Sequence, residues 1–123
     1  MKREIIQTLD GSTTIHLQEW NESYHSKHGA IQEAQHVFIK NGLSLFREGP
    51  VSILEIGFGT GLNAFITFLE APKLKLSIDY VGVEAYPVAP EELVLMNYVA
   101  ELNAEDRKDV FQNIQKASLC SYW

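Results

Sequence analysis

An acidic residue followed by three glycines at every second position forms the part of this sequence best suited to binding a ligand. Glu55 is followed by Gly57, Gly59 and Gly61, so the turn that they form has almost no side chains. A turn without Cβ atoms brings backbone N–H groups and the start of the next helix close to a bound ligand. The pattern therefore predicts a cofactor site, and a tight turn that binds nothing is the alternative.

Two common nucleotide-binding motifs fit these glycines poorly. A phosphate-binding P-loop ends in Gly-Lys-Ser/Thr, and this sequence has no such ending. The dinucleotide fingerprint has its third glycine three residues after the second, where this chain has Leu62. The spacing acidic-x-Gly-x-Gly-x-Gly instead resembles the first motif of class I S-adenosylmethionine-dependent methyltransferases. In that family the turn packs against the methionine and sugar parts of the cofactor, and the acid helps to position the amino acid part.

A second carboxylate, Glu84, lies 23 residues beyond Gly61 at the end of another apolar segment. An ionised carboxylate offers two acceptor oxygens and a vicinal diol offers two donors, so Glu84 could bind both ribose hydroxyls. The alternative is an acid at a helix N-terminus, because a helix is predicted from Pro90. The neighbouring Tyr86 either stacks on an adenine ring or packs into the protein.

Two parallel strands and a helix must position these residues. The β-branched, apolar run Val51–Ile56 predicts a buried parallel strand, and Ser77–Glu84 predicts a second. A helix is expected to begin at Leu62, directly after the glycines. Together with the resemblance, this order of elements predicts an α/β, Rossmann-like class I methyltransferase fold.

The remaining elements are predicted from turn residues and apolar spacing. Asp10-Gly11 is a strong hairpin signal, which predicts that residues 2–18 form a β-hairpin. We treat residues 1–29 as a hairpin and loop extension and residues 30–123 as the start of a Rossmann-like core, within one partial domain. The other expected elements are an irregular loop at Trp20–Gly29 and helices at Ala30–Phe46 (with a break at Gly42), Pro90–Ala100 and Glu105–Lys116.

Composition limits the function further. The 123 residues have a net charge of −6, which argues against broad non-specific binding of nucleic acid. A single cysteine, Cys120, leaves no internal disulfide, and no apolar run reaches the roughly 20 residues of a membrane span. We therefore expect a cytoplasmic protein without a membrane partner. Two basic pairs could form a small patch or lie on solvated surface: Lys2 with Arg3, and Lys73 with Lys75.

Four segments together show a more specific resemblance. They are Tyr24-His-Ser-Lys-His-Gly29, Glu33-Ala-Gln-His-Val-Phe38, Glu55-Ile-Gly-Phe-Gly-Thr-Gly-Leu-Asn63 and Val83-Glu-Ala-Tyr-Pro-Val88. The chain resembles the bacterial tRNA (5-methylaminomethyl-2-thiouridine) methyltransferase family, a module that some bacteria fuse to a flavin-dependent oxidase. The resemblance extends from about Thr13 to about Leu95, and the glycine turn and the Glu-Ala-Tyr-Pro corner are its most specific parts.

The resemblance implies methyl transfer from S-adenosyl-L-methionine to the exocyclic aminomethyl group of the wobble uridine in tRNA. It also implies tRNA as partner, with a possible oxidase domain or subunit. The implied cofactor-binding residues are Glu55, Gly57, Phe58, Gly59, Thr60, Gly61, Asn63, Glu84, Ala85 and Tyr86. The implied substrate-side residues are Tyr24, His25 and Ser26.

The resemblance also shows what this sequence lacks. The family places an aspartate that orients the amine in an Asp-Gly/Ala-Phe-x-Pro motif, which is absent here. We therefore assign no catalytic residue, interpret the chain as an N-terminal half, and expect it to be inactive alone and to self-associate. His25-x-x-His28 has no cysteine pair or carboxylate pattern beside it, so no metal is assigned. The alternatives are a non-catalytic cofactor-binding or structural α/β domain, or a methyltransferase with another substrate.

Overall fold

A three-stranded antiparallel sheet begins the chain in the computed structural model, which describes residues 2–116. Its strands are β1 (Arg3–Gln7), β2 (Thr13–Leu17) and β3 (Glu22–Ser23), in the order β1-β2-β3. The predicted hairpin is confirmed, with Ile5 opposite Ile15. The prediction of an irregular loop is wrong at β3, because backbone pairing and a 2.9 Å bond between His16 Nδ1 and Ser23 Oγ extend the sheet by one short strand.

The first helix changes type along its length. Helix α1 (Ala30–Glu33) continues as a wider π-type helix over Ala34–Lys40, and a 3₁₀ turn follows at Leu43–Leu45. The predicted break at Gly42 is confirmed, and a Cβ atom there would lie 2.5 Å from the carbonyl oxygen of Phe38. The single α-helix predicted over this region is therefore divided into three parts.

The predicted parallel strands and the helix between them are confirmed. Strands β4 (Gly49–Ile56) and β5 (Leu76–Val83) pair in parallel, with Ile53 opposite Tyr80. Helix α2 (Leu62–Glu70) connects them through a 3₁₀ turn at Ala71–Leu74 and buries Leu62, Phe65 and Ile66. The crossover helix therefore turns its apolar side toward the core. One face of the strand pair, with Val51, Ile53 and Ile78, packs against Leu43 and Ala71.

The other face of this parallel pair is open. Leu54 is 66% exposed and Ile56 is 75% exposed, and their partners Val81 and Val83 are also exposed. The prediction that Val51–Ile56 is a buried strand is therefore wrong, because its residues are alternately half-buried and exposed. Parallel sheets are normally covered on both faces, so this surface, called here the open sheet face, is unusual.

The region predicted as one helix, Pro90–Ala100, forms two short helices instead, α3 (Pro90–Leu93) and α4 (Tyr98–Glu101). The side chain of Asn97, which lies between these two helices, bonds to the hairpin and thereby interrupts the predicted single helix. Its Oδ1 accepts from the N–H of Thr13 at 2.9 Å, and its Nδ2 donates to the carbonyl of Gly11 at 2.8 Å. A 3₁₀ turn (Glu105–Arg107) and helix α5 (Lys108–Lys116) then agree with the helix predicted from Glu105.

One core joins the hairpin to the helices. Phe111 makes edge-on ring contacts with Phe65 at 5.3 Å and with Tyr98 at 6.0 Å, and Ile15 of β2 is buried in the same cluster. Such aromatic pairs contribute about 1 kcal/mol each beyond their buried area. Within residues 2–116 no helix has the length and apolar character needed to cross a membrane. Cys120 and the apolar segment Leu119–Trp123 lie outside the described residues.

The turn of the hairpin also caps the first helix. Gly29, at the N-cap position, has no side chain, and a Cβ atom there would lie 2.5 Å from Oδ2 of Asp10. The first three N–H groups of the helix instead donate to side chains of the hairpin turn. The pairs are Ala30 to Thr8 Oγ1 at 3.1 Å, Ile31 to Ser12 Oγ at 3.1 Å, and Gln32 to Asp10 Oδ2 at 2.9 Å. Helix N-termini need such acceptors, and here tertiary contacts supply them.

Candidate functional site

A cavity of about 570 Å³ opens where β4 and β5 end. Parallel strands place their carboxyl ends at the same sheet edge, which is where α/β proteins usually bind ligands. The wall combines residues that follow both strands with residues from the hairpin sheet, the loop after it and the first helix. They are Leu17, Trp20, Tyr24, His25, Glu33, Ala34, Val37, Phe38, Glu55, Gly57, Phe58, Gly59, Asn63, Glu84 and Tyr86.

The glycine turn follows β4 with left-handed backbone angles. Gly57, Gly59 and Gly61 have φ values of 84°, 60° and 80°, a region that glycine adopts without steric cost. The N–H groups of Gly57 and Phe58 both donate to the carbonyl of Val83, at 2.8 Å and 3.0 Å, so the turn is fastened to the end of β5. A Cβ atom on Gly57 would have no described neighbour within 4 Å, so this glycine faces open cavity.

The later part of the turn serves packing. Thr60 is buried, with Oγ1 3.1 Å from the hydroxyl of Tyr98, and its carbonyl accepts from Gln115 Nε2 at 2.6 Å. A Cβ atom on Gly61 would lie 2.5 Å from the same Gln115 nitrogen. Thr60 and Gly61, expected at the cofactor, therefore lie outside the cavity wall and join the turn to α5.

Glu84 connects the two chain segments that follow the strands. Its Oε1 accepts from the N–H of Gly59 at 2.7 Å, and its Oε2 accepts from the N–H of Tyr86 at 3.1 Å. The alternative role at a helix N-terminus belongs to a different acid, since Glu92 Oε1 accepts from the N–H of Ala89 at the start of α3. Glu84 thus has the position at the cavity that its place after the strand predicts.

Glu55 is oriented by two side chains. Its Oε1 accepts from the hydroxyl of Tyr80 at 2.7 Å, and its Oε2 accepts from Nδ2 of Asn63 at 2.7 Å. Burial raises the pKa of Glu55, these hydrogen bonds oppose that effect, and the nearby charge of Glu84 adds to it. Burial and the charge of Glu55 raise the pKa of Tyr80, which keeps its hydroxyl a donor.

The cavity wall is acidic. Glu33, Glu55 and Glu84 all line it, and among the described lining residues none is a lysine or an arginine. A cavity surrounded by carboxylates favours ligands with cationic groups. Asn63 Oδ1 is buried and has no hydrogen-bond partner among residues 2–116, so it is a further acceptor at this wall.

Aromatic residues also line the cavity. Tyr86 lines it with 62% of its surface exposed, so the ring is not packed into the protein. The ring of Tyr24 lies 3.2 Å from the position of a Cβ atom on Gly59, and burial raises the pKa of Tyr24. Ala85, expected beside the cofactor, is not part of the wall.

His25 lies at the cavity as a neutral imidazole. Its Nδ1 is 2.8 Å from Thr14 Oγ1, its ring meets the edge of Tyr98, and burial lowers its pKa to about 4. Ser26, which the resemblance also placed near substrate, lies outside the wall, and its Oγ accepts from the N–H of His28 at 3.1 Å. Within the described part of the chain, no three His, Cys, Asp or Glu side chains are grouped to hold a metal ion.

Several wall residues were not anticipated as ligand-facing. Val37 and Phe38 belong to the apolar spacing that predicts the first helix, and Val37 is 60% exposed at the cavity. Their segment, Glu33–Phe38, is one of the four segments that carry the family resemblance, and this was the only sequence signal that they could face a ligand. The other unanticipated wall residues are Leu17, Trp20, Glu33 and Ala34.

These features define an α/β domain with a ligand cavity at the carboxyl ends of its parallel strands. The chain shares its fold with MnmC2 from Aquifex aeolicus, with a TM-score of 0.55 at 24% identity over 87% of this chain and 37% of that chain. No family model matches the chain.

Sequence comparison with curated proteins gives a more specific similarity than the shared fold. The chain is 32% identical over 85 residues to the tRNA 5-methylaminomethyl-2-thiouridine biosynthesis bifunctional protein MnmC of Leptospira interrogans, a match that covers 62% of this chain and 13% of the relative. It is 39% identical over 80 residues to the protein of the same name from Burkholderia mallei, a match that covers 60% of this chain and 12% of that relative. The resemblance inferred from the four sequence segments is thereby confirmed, for a chain that matches about an eighth of the length of these relatives.

Proposed function

We propose that this chain forms the cofactor-binding part of a Rossmann-like, class I S-adenosylmethionine-dependent methyltransferase domain. The proposed reaction is methylation of the aminomethyl group on the wobble uridine of tRNA. The single observation that most supports it is that one cavity is lined by the glycine turn and by both strand-end carboxylates, Glu55 and Glu84. The names of the curated relatives support the tRNA-modifying role.

The cavity fits this cofactor in size and charge. Its 570 Å³ lies within the roughly 300–1,000 Å³ of small-molecule sites. S-Adenosylmethionine has a sulfonium and an ammonium group, which suit a wall with three carboxylates and no described lysine or arginine. Gly57 leaves open space where a side chain would stand, and Tyr86 offers an exposed ring face.

Each wall residue has a proposed role. Glu84 would accept hydrogen bonds from the ribose hydroxyls, Glu55 with Asn63 would position the amino acid part, and Tyr86 would stack on adenine. The bound cofactor supplies an activated methyl group on its sulfonium. Tyr24 and His25 lie on the substrate side, where the neutral imidazole adds no positive charge beside an amine. The residues of this chain thus bind and orient, which is the main requirement of a direct transfer between aligned groups.

The proposed partner is tRNA, with an oxidase domain or subunit as a second proposed partner and the cytoplasm as the proposed location. A non-catalytic α/β domain that only binds the cofactor is the other candidate. An Asp-x-Phe-x-Pro segment in a longer reading frame would decide for the enzyme.

Titration calorimetry tests the cofactor assignment. We expect the chain to bind S-adenosylhomocysteine more tightly than NAD or ATP, and a clear preference for NAD would contradict the proposal. Gly59→Val should abolish binding while circular dichroism stays unchanged, because a β-branched residue resists φ of 60° and its Cβ would lie 3.2 Å from Tyr24.

Glu84→Ala tests the ribose contact with the same titration. Hydrogen bonds to charged groups contribute on the order of 1.5–3 kcal/mol each, so affinity should fall at least about tenfold. Glu91→Ala, at an exposed position of α3, is the matched control and should bind like the wild type. Equal affinity of the Glu84 and Glu91 variants would remove Glu84 from the ligand site.

A further inference from the structure

Arg3 contacts the chain segment that bears Glu84 and Tyr86. The sequence placed Arg3 either in a small basic patch or on solvated surface, but its side chain is only 15% exposed. Its Nη2 donates to the carbonyl of Tyr86 at 2.6 Å, and its Nη1 donates to the carbonyl of Pro87 at 3.2 Å. Nη1 also pairs with Glu92 Oε1 at 3.1 Å. Through this side chain the first strand of the hairpin contacts the chain segment that bears two wall residues, Glu84 and Tyr86.

The segment that Arg3 holds has no helix or strand of its own. It runs between the end of β5 and the start of α3, so side-chain hydrogen bonds must define its shape. On the cavity side, Glu84 accepts from the N–H of Tyr86, and on the far side Arg3 donates to the carbonyl of the same residue. Because the Tyr86 ring is largely exposed, packing of the ring does not fix this position.

Glu92 extends the same network. Its Oε1 accepts from Arg3 at 3.1 Å and from the N–H of Ala89 at 3.2 Å, so one carboxylate links the guanidinium to the start of α3. A guanidinium donates from separate nitrogens in a rigid plane and can bond two carbonyls and a carboxylate at once. The compact ammonium of a lysine cannot reproduce that arrangement.

We infer that Arg3 is a positioning residue for the cavity, which fixes the Glu84–Tyr86 corner so that the carboxylate and the ring face the ligand. The inference rests on the proposed function for the identity of the ligand, an adenosine-containing sulfonium or thioether compound. Arg3 itself is not part of the cavity wall. Its effect on affinity is therefore indirect.

Three variants of the full chain test this inference: Arg3→Met, Arg3→Lys and the control Arg47→Met. Arg47 also donates to nearby carbonyls, those of Ser44 and Phe46, but far from the corner in sequence and at an exposed site. Loss of hydrogen bonds from a charged group predicts that Arg3→Met binds S-adenosylhomocysteine at least about tenfold more weakly. Arg3→Lys should be intermediate, and Arg47→Met should equal the wild type.

Amide hydrogen exchange followed by NMR supplies a readout that needs no ligand. In Arg3→Met the amide of Tyr86 should exchange at least about tenfold faster, while the Gly57 amide, bonded to Val83, should keep its wild-type rate. If wild type fails to bind S-adenosylhomocysteine, the proposed function fails, and the exchange rate of Tyr86 alone decides about Arg3. Unchanged exchange at Tyr86, or wild-type affinity of Arg3→Met in a chain that binds, overturns the inference. If Arg3→Met does not fold, the same comparisons are decided by Arg3→Lys.

Discussion

The two strand-end carboxylates of the cavity are held in different ways. Glu55 is bonded by the side chains of Tyr80 and Asn63, whereas Glu84 is bonded by backbone N–H groups of Gly59 and Tyr86. An ionised carboxylate has about four acceptor sites, so each can still accept from a ligand without releasing its protein donors. Both acids are therefore already oriented, which would reduce the entropy lost if a ligand binds as proposed.

His25 gives a prediction about pH. Burial lowers its pKa from the ordinary 6.5 to about 4, so between these values the unfolded chain binds a proton that the folded chain does not. The stabilisation is therefore complete above pH 6.5 and is lost as the pH falls toward 4, by about 3 kcal/mol at most. Urea unfolding at several pH values should show this loss in the wild type.

The stability of the wild type is compared with that of the His25→Asn variant. An asparagine amide can occupy the Nδ1 position beside Thr14 but does not titrate. The stability of this variant should vary less between pH 6.5 and 4. His36→Asn, at an exposed position, should retain the wild-type pH dependence. An equal pH dependence in wild type and His25→Asn would mean that other groups cause the loss.

At the scale of elements, the hairpin turn that caps the first helix gives a second prediction. Asp10→Ala removes the acceptor of the Gln32 N–H and of two hydroxyls in the turn, those of Thr8 and Ser12. The free energy of unfolding should fall by about 2 kcal/mol, the upper range for a lost N-cap. Asp79→Ala, at an exposed position of β5, is the control and should change stability little. Denaturant unfolding of both variants measures the difference, and equal stabilities would contradict the capping role.

The same carboxylate should make the cap sensitive to acid. Burial works against ionisation of Asp10, but hydrogen bonds from Ser12, Gln32 and Thr8 outweigh it and lower the pKa below 3.8. A group with a lowered pKa in the folded state contributes stability above its unfolded value. The contribution of Asp10 is therefore present above pH 3.8 and is lost as the pH falls through its lower folded value.

Local sequence patterns predicted the hairpin, β4, α2 and β5, because each is defined by its own turn residues or apolar spacing. Long-range contacts decided the rest. Nothing within Pro90–Ala100 signals its division, which depends on bonds from Asn97 to a hairpin more than 80 residues away. Likewise, apolar spacing could not show that Val37 faces a cavity, since core and ligand-facing apolar residues look alike in sequence.

The candidate site was also predictable only in part, through the residues that belong to a local motif. Gly57, Gly59, Glu55 and Glu84 line the cavity as their motif predicts, although their role toward a ligand stays a prediction. The role of Arg3 could not be found from sequence, because a basic pair such as Lys2 and Arg3 looks like solvated surface until its partners are known.

For the whole molecule, the open sheet face gives a third prediction. Leu54, Ile56, Val81 and Val83 expose a continuous apolar surface on a two-stranded sheet whose edges have no described partner. Such surfaces favour association. We expect the isolated chain to self-associate and to show no methyl transfer from labelled S-adenosylmethionine to undermodified tRNA, because the sequence lacks the Asp-Gly/Ala-Phe-x-Pro motif.

Light scattering on a sizing column measures the association. The double variant Leu54→Lys with Val81→Lys should shift the chain toward monomer, whereas Ser52→Lys adds a charge to the polar end of the same face and should have a smaller effect. Label transfer by a well-behaved wild-type monomer would show that both expectations are wrong.

The attachment of the hairpin has a consequence for engineering. Residues 2–12 contribute nothing to the cavity wall, so a shortened chain that starts after them would keep every wall residue. It would nevertheless lose the acceptors of three helix N–H groups, together with the guanidinium that holds the Tyr86 corner. An affinity tag or a fusion partner should therefore be joined ahead of Met1 through a spacer, and must not replace the first strand.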